Sequence, residues 1–170
     1  MANNFPNPFE QWTQRYRVWR GKAPDAISQI ALVEFKENFR RGGWRDGEGV
    51  TAWKPRSKKD KNPKKRALLV ASGRLKRSLR KSPDFNTARV VTDVPYAAIH
   101  NDGGLVNTTA SIKSHRRKKK KGGFSVVKAH SRKVKFTMPQ RPFMKMGAGL
   151  SKNIDKYLGD SMDAVFGVSK

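Results

Sequence analysis

Apolar side chains after Pro24 recur every three to four residues, which is the spacing that places them on one face of an α-helix. Pro24 and Asp25 suit the first turn of such a helix, and the Gly42-Gly43 pair suits its end. The pattern therefore predicts an amphipathic helix from Pro24 to Phe39. Its apolar face is formed by Ile27, Ile30, Ala31, Leu32, Phe35 and Phe39.

A second set of apolar positions lies just before this helix and is aromatic. Spacings of three and four separate its members, and several arginines lie between them. The spacing predicts a shorter helix with an aromatic stripe formed by Phe9, Trp12, Tyr16 and Trp19. Such stripes commonly belong to a core. This one precedes the main domain and is mixed with arginines, which leaves open a docking surface for another subunit.

Helical spacing returns at the end of the chain, after Pro142. Apolar residues recur there over roughly five turns, and they predict a C-terminal amphipathic helix from about Ala148 to Phe166. The apolar face consists of Leu150, Ile154, Tyr157, Leu158, Met162, Val165 and Phe166.

Shorter elements are predicted between the helices. The Gly-rich stretch that follows the first long helix is predicted to be a loop anchored by Trp44 and Trp53. Ser72 suits a helix N-cap, and Leu75 and Leu79 would share one face of the following turn. We therefore expect a short helix that begins at Ser72.

Strand patterns occupy the middle of the chain. Thr87–Thr92 is rich in β-branched residues, and Lys133–Met138 alternates with period two. Ser111–Lys113 and Phe124–Val127 flank the cationic run at residues 115–121. This arrangement predicts a long β-hairpin with the cationic run at its tip.

Helices at both ends with strands between them predict an α+β fold. We expect N-terminal and C-terminal helices packed on a mainly antiparallel β-sheet that carries a long basic β-hairpin arm. With 170 residues, the chain is expected to contain an N-terminal aromatic and basic extension at residues 1–22 and a single domain at residues 23–170. Basic loops are expected at residues 54–81 and 113–135 of that domain.

Charge is concentrated in those two loops. The chain has 38 Lys and Arg against 13 Asp and Glu, a formal net charge of +25. Residues 54–81 hold thirteen Lys and Arg and one acid, and residues 113–135 hold eleven and no acid. The remaining residues are nearly balanced, as in an ordinary folded domain. Two basic segments are thus attached to a near-neutral body.

The densest parts of both segments are predicted to lie in solvent and to contact a polyanion or an acidic neighbouring surface. A single run of this kind is as well explained by solubility, but two runs in one small domain favour a partner. The expected contact residues are Lys58, Lys59, Lys61, Lys64, Lys65, Arg66, Arg116, Arg117, Lys118, Lys119, Lys120 and Lys121.

Other chemistry has few candidate residues. The absence of cysteine excludes disulfides, thiolate nucleophiles and cysteine-based metal sites. Asp, Glu and His show no spacing typical of a catalytic or metal site, so we expect no enzyme activity, no cofactor and no metal. His100 is expected to hydrogen-bond the adjacent Gly103-Gly104 turn.

Membrane and secretory signals are not seen in the sequence. No apolar run approaches the length of a membrane span, and the N-terminus lacks the pattern of a signal peptide. We therefore expect a soluble protein with no membrane partner.

Four sequence blocks precede the predicted C-terminal helix in a diagnostic order: Trp53–Ser57, Leu68–Leu79, Asp93–Gly104 and Pro139–Met144. In this order they resemble the tailed-phage virion-morphogenesis or tail-completion proteins. Those proteins carry a W-x-P-L-S-like loop, an L-x-x-S-G-x-L-x-x-S-[IL] helix start, a V-P-Y-A-x-x-H-x-x-G-G turn and a P-x-R-P-F segment. The resemblance covers roughly residues 27–166.

The resemblance implies a structural virion protein, a head–tail connector subunit of an oligomeric ring at the neck or the top of the tail. It implies a homo-oligomer that joins the portal side of the head to the tail, located in the virion and, during assembly, in the host cytoplasm. Other neck, portal-adjacent or tail proteins would be its partners, with double-stranded DNA or acidic subunits facing the basic arms. The matching positions, expected to determine fold or interfaces, are Trp53, Ser72, Gly73, Leu75, Pro95, Tyr96, His100, Gly103, Gly104, Arg141, Pro142 and Phe143.

Two features depart from the family pattern: the cationic insert at residues 114–123 and the aromatic segment at residues 5–19. The alternative function is a free nucleic-acid-binding protein of ribosomal or DNA-packaging type, which also uses basic arms on a small body. A metal-dependent nuclease would need His100 as a catalytic residue, and no second histidine lies near it in the sequence.

Overall fold

The computed structural model describes residues 7–47, 49–56, 67–120 and 122–167. Within these ranges the chain forms four helices and eight strands, with a helix at each end and the strands between them. All strand pairs are antiparallel, so the predicted α+β class is confirmed. The described strands form four separate two-stranded sheets instead of one larger sheet.

Helix α1 spans Pro8–Arg41 and is 34 residues long. The side chain of Asn7 caps its start by accepting a hydrogen bond from the backbone N–H of Phe9 at 3.1 Å. The helix ends at Gly42, whose φ of 67° is the left-handed conformation that glycine adopts readily. The predicted stop at the Gly42-Gly43 pair is therefore confirmed.

The prediction of two separate helices divided near Pro24 is wrong, because Pro24 lies inside α1. Proline removes one backbone donor from the helix and crowds the preceding turn. Ala23, Pro24 and Ser28 are nevertheless buried, and the hydroxyl of Ser28 donates to the carbonyl of Pro24 at 2.7 Å. Both halves of α1 pack against other elements, and this packing compensates for the cost of one proline.

The region predicted as a loop after α1 is a β-hairpin. Strand β1, Gly43–Asp46, pairs with strand β2, Gly49–Ala52. A Cβ on Gly43 would lie 2.5 Å from the carbonyl oxygen of Thr51, so this close pairing needs glycine. The predicted aromatic anchor is present, since Trp53 is buried directly after β2.

Short elements follow: α2 at Arg74–Ser78, β3 at Arg80–Lys81, β4 at Val90–Val91 and α3 at Ala97–Asp102. Strand β4 pairs with β3 and covers only the end of the strand predicted from the β-branched pattern.

The cap of α2 differs from the prediction. Gly73, with φ of 73°, precedes the helix, while the Ser72 hydroxyl accepts from the backbone N–H of Arg74 at 3.3 Å. Leu75 and Leu79 are both buried, as their spacing predicted.

The cationic region contains two antiparallel strand pairs. Strand β5, Gly104–Ile112, pairs with β8, His130–Met138, over nine residues. Strand β6, His115–Lys118, pairs with β7, Phe124–Val127. We call these pairs the long ribbon and the short ribbon. That they act as an arm which contacts a partner stays a prediction.

Helix α4 spans Ala148–Phe166, the bounds predicted from the apolar spacing. It packs against α1, where the indole Nε1 of Trp19 donates to the hydroxyl of Ser161 at 2.8 Å. The rings of Trp12 and Phe166 meet edge-on with centroids 6.4 Å apart. No helix in the described ranges combines the length and apolar content needed to cross a membrane.

The core lies where α1, the end of β2, α2, α3 and the start of α4 meet. Phe143 is completely buried at its centre, with its ring centroid 5.1 Å from that of Phe39, and Phe39 lies 5.7 Å from Trp53. The buried apolar members are Leu32, Phe35, Phe39, Trp53, Leu75, Leu79, Val94, Ala97, Phe143 and Leu150.

We expect Phe143→Ala to lower the free energy of unfolding by about 3–5 kcal/mol, because it removes a fully buried aromatic ring and leaves a cavity. Urea denaturation followed by tryptophan fluorescence measures the change. The matched control is Phe124→Ala, since Phe124 is 61% exposed and should cost no more than about 1 kcal/mol. Equal losses in the two variants would contradict the central position of Phe143.

Candidate interaction surfaces

One short segment, residues 139–144, is tied to three separate parts of the fold; we call it the anchor segment. The indole Nε1 of Trp53, after β2, donates to the carbonyl of Pro142 at 2.9 Å. The side-chain amide of Asn38, on α1, donates to the carbonyl of Phe143 at 3.2 Å. The side-chain oxygen of Asn101, on α3, accepts from the backbone N–H groups of Phe143 and Met144 at 3.0 and 2.9 Å.

The glycine turn after α3 lies directly against the anchor segment. Gly103 has φ of 71°, and a Cβ there would lie 2.8 Å from the backbone nitrogen of Gln140. The carbonyl of His100 accepts from the backbone N–H of Arg141 at 3.0 Å. A residue with a side chain at position 103 would meet both backbone strain and a backbone clash.

The side chain of His100 is partly buried beside this turn. Its ring meets that of Tyr96 edge-on, with centroids 5.7 Å apart, and its Nδ1 has no hydrogen-bond partner within the described residues. Burial, and secondarily the positive charge of Arg141, hold the pKa of His100 below its ordinary value. The expected hydrogen bond from His100 to the Gly103-Gly104 turn is not made by Nδ1; instead the backbone carbonyl of His100 accepts from the backbone N–H of Arg141.

A cleft of about 960 Å³ opens between the anchor segment, α3 and the turn that precedes α2. Lys54, Arg56, Arg74 and Arg141 line it, and no described Asp or Glu does so. In the sequence these residues contribute only to the net charge or to the family motif, and nothing there indicates that they face one cavity. Their positions lie up to 87 residues apart in the chain, so no local pattern indicates this.

Arg141 is the most buried of these cations, with 7% of its surface exposed. Its Nε donates to the carbonyl of Lys54 at 2.9 Å and its Nη2 to the carbonyl of Pro55 at 3.3 Å. Burial, and secondarily the charge of Arg56, lower the pKa of Arg141. Arg141 thus fastens the anchor segment to the chain after β2 through neutral acceptors.

The other matching positions fall into two groups. Trp53, Leu75 and Phe143 are buried in the core. Pro95 and Tyr96 are exposed immediately before α3, and Ser72 is exposed before α2. The structure therefore brings most of the motif residues together around the anchor segment, and it leaves some of them on the rim of the cleft. Asn38 and Asn101, which hold that segment, were not singled out by the sequence.

The described members of the cationic run lie on and just after β6. Arg116, Arg117 and Lys118 are exposed on the strand, and Lys119 and Lys120 follow it. The Arg116 guanidinium lies over the ring of Phe124 at 5.4 Å, which is a cation–π contact. The remaining predicted contact residues lie outside the described residues: Lys58, Lys59, Lys61, Lys64, Lys65, Arg66 and Lys121.

The long ribbon has two chemically different faces. Val106 lies opposite Phe136, and with Val134 these residues form an apolar face. Lys133 and Lys135 lie opposite Thr109 and Asn107 on the other face, because successive side chains alternate along a strand. Phe136 is 44% exposed, so the apolar face is only partly covered.

The aromatic stripe of α1 is divided between packing and exposure. Trp12 and Trp19 contact α4, and Tyr16 stacks on Trp19 with centroids 5.7 Å apart. Phe9 is 70% exposed at the start of the helix. The stripe is therefore partly packed within the protein, and a docking role for its exposed part stays a prediction. The described residues contain no group of three or more His, Asp or Glu that could hold a metal ion.

We expect Gly103→Ala to destabilise the protein more than Gly42→Ala does. Both positions have positive φ, which costs about 1–2 kcal/mol for alanine, but only position 103 adds a clash with the Gln140 backbone. Thermal unfolding of both variants by circular dichroism measures the difference. Equal melting temperatures would show that the turn does not pack against the anchor segment.

We expect the free energy of unfolding to fall as the pH is lowered through about 6.5, the ordinary pKa of histidine. The folded state lowers the pKa of His100, so below that pH the unfolded chain binds more protons and gains stability relative to the folded chain. Urea titrations at pH 7.5 and 5.5 should show a smaller loss in His100→Asn than in the wild type. The control His115→Asn removes an exposed histidine from β6 instead. An unchanged loss in His100→Asn would rule out this role for His100.

Comparison with known proteins confirms the resemblance seen in the motifs. The model of the phage virion morphogenesis family matches residues 14–165, which include α1 from its second turn onward, the anchor segment and nearly all of α4. Searches of curated proteins and of solved structures found no match. Because the match extends over most of the chain, the protein belongs to the phage virion morphogenesis family.

Proposed function

We propose that the protein is a non-enzymatic, cofactor-free subunit of a ring at the neck or the top of the tail of a tailed phage, where it joins the head to the tail. Membership of the phage virion morphogenesis family supports a role in building the virion. The observation that carries the finer proposal is the pair of exposed, cationic ribbons, whose strands make no extensive contact with any other described helix or strand.

The long ribbon supports assembly into an oligomer. Its two strands contact mainly each other, and no other described helix or strand makes extensive contact with either of them. A two-stranded sheet is marginally stable in water unless something packs on its apolar face. The face that contains Val106, Val134 and Phe136 would gain such a cover from a neighbouring subunit in a ring.

The cations of the ribbons support contact with DNA in the channel of that ring. Residues 113–135 contain eleven Lys and Arg and no acid, and Arg116, Arg117 and Lys118 are exposed on β6. Lysine and arginine bind DNA largely by displacing counterions from phosphates, and this binding does not depend on base sequence. Such contacts suit a ring through which DNA of any sequence passes. Acidic surfaces of neighbouring proteins are the other source of negative charge.

We expect the affinity for a 20-base-pair duplex to fall steeply with salt, and the double variant Arg116→Gln/Arg117→Gln to bind with a shallower log–log slope. Each lost phosphate contact should reduce the slope by about 0.9. Fluorescence anisotropy from 50 to 300 mM salt measures it. The matched control Lys152→Gln/Lys156→Gln removes two exposed cations from α4 and should retain the wild-type slope. A wild-type slope near zero would exclude DNA and leave acidic protein surfaces as the partner.

Ring formation is tested separately. Purified protein should form rings visible by negative-stain electron microscopy, and antibodies should detect the protein in purified virions at the junction of head and tail. A protein that stays monomeric under all conditions and is missing from virions would overturn the proposal. If that monomer bound RNA stoichiometrically, a free nucleic-acid-binding protein would be the better assignment.

A further inference from the structure

We propose that the cleft between the anchor segment, α3 and the turn before α2 binds an acidic peptide segment of another protein, with carboxylates on its cationic rim and apolar side chains on its floor. This inference goes beyond the proposed function, because the cleft is a different surface from the cationic ribbons.

Cations from separate segments of the chain converge on the cleft. Lys54 and Arg56 come from the chain after β2, Arg74 from the start of α2, and Arg141 from the anchor segment. No described acidic residue lines the cleft, which has a volume of about 960 Å³. Concave surfaces lined by one sign of charge concentrate the field and favour a ligand of the opposite sign.

Arg141 is a buried cation that forms no ion pair with a described carboxylate. A buried cation is costly unless it is paired, and in most proteins its partner is a carboxylate. The acceptors of Arg141 are two backbone carbonyls, and no described carboxylate forms an ion pair with it. A carboxylate from outside would bind the Arg141 guanidinium through charge-assisted hydrogen bonds.

The floor of the cleft is apolar, which favours a peptide over a nucleic acid. Leu68, Leu69, Leu75, Met138 and Pro139 form it, and these side chains offer apolar contact without hydrogen-bonding groups. Alternating acidic and apolar side chains of a peptide would satisfy both rim and floor, whereas a sugar–phosphate backbone carries no apolar side chains.

Leu69 adds a local feature to the same floor. Its φ of 60° is the one positive value at a non-glycine position in the described chain. Leucine in this conformation costs about 1–2 kcal/mol, and such strain clusters at binding sites. The strained turn holds Leu69 at the cleft surface, where a bound side chain would contact it.

Binding is tested with the full-length protein and a fluorescein-labelled octapeptide of alternating Glu and Leu, measured by anisotropy. The matched probe alternates Gln and Leu. We expect the protein to bind the Glu-containing probe and to bind the Gln-containing probe at least tenfold more weakly.

The variant Lys54→Gln/Arg74→Gln removes two exposed cations from the rim and keeps the Lys54 carbonyl that holds Arg141. We expect it to weaken binding by about fivefold to tenfold, as the loss of two partly exposed ion pairs predicts. Arg116→Gln/Arg117→Gln removes the same charge from β6 and should change binding less than twofold. Circular dichroism confirms that both variants fold.

Three results would overturn the proposal. The first is equal binding of the two probes, and the second is an equal loss of binding in the two variants. The third is displacement of the Glu-containing probe by a 12-base-pair duplex, where that displacement is lost in Lys54→Gln/Arg74→Gln and retained in Arg116→Gln/Arg117→Gln. The first would show that charge is not recognised, the second would indicate a general effect of net charge, and the third would assign the cleft to nucleic acid. None of them bears on ring formation, which electron microscopy reports independently.

Discussion

The burial of Phe143 is the interaction on which the rest of the described structure depends. Its ring packs against Phe39 of α1, which in turn meets Trp53 edge-on, and its backbone is hydrogen-bonded to the side chains of Asn38 and Asn101. These contacts join parts of the chain that are up to 105 residues apart. Since the anchor segment is thereby held in one position, the glycine turn, the cleft and the start of α4 are positioned with it.

Charged residues are unevenly distributed around this core. Outside residues 54–81 and 113–135 the chain contains nearly equal numbers of acids and bases, and the ion pair between Asp25 of α1 and Lys81 of β3 connects one of those segments to the rest. The described cations of residues 113–135 are exposed, and water keeps their repulsion small. Arg141 is the exception, because it is both buried and without a carboxylate partner among the described residues. The two candidate surfaces therefore differ: the described cations of the ribbons are all exposed, whereas the cleft combines the exposed Lys54 and Arg74 with the buried Arg141.

Elements with long, regular patterns were predicted well. The apolar spacing of α4 predicted Ala148–Phe166, and the glycine pair after α1 predicted its end at Gly42. Predictions failed where a local signal competed with tertiary packing. Pro24 is a strong signal for a helix start, but burial of the surrounding turn stabilises a continuous α1. The stretch after α1 pairs as a hairpin because Gly43 lets β1 approach β2 closely, and the glycine-rich composition alone suggested a loop.

By itself, the sequence determined the α+β class, the family resemblance, the two terminal helices and the concentration of charge in two segments, because each depends on the order or spacing of nearby residues. Tertiary structure alone decided which residues meet in space. Lys54, Arg56, Arg74 and Arg141 line one cleft only because buried Phe143 and its hydrogen-bonded neighbours bring distant segments together. Contacts of this kind depend on packing in three dimensions, so the spacing of residues within any one segment does not reveal them.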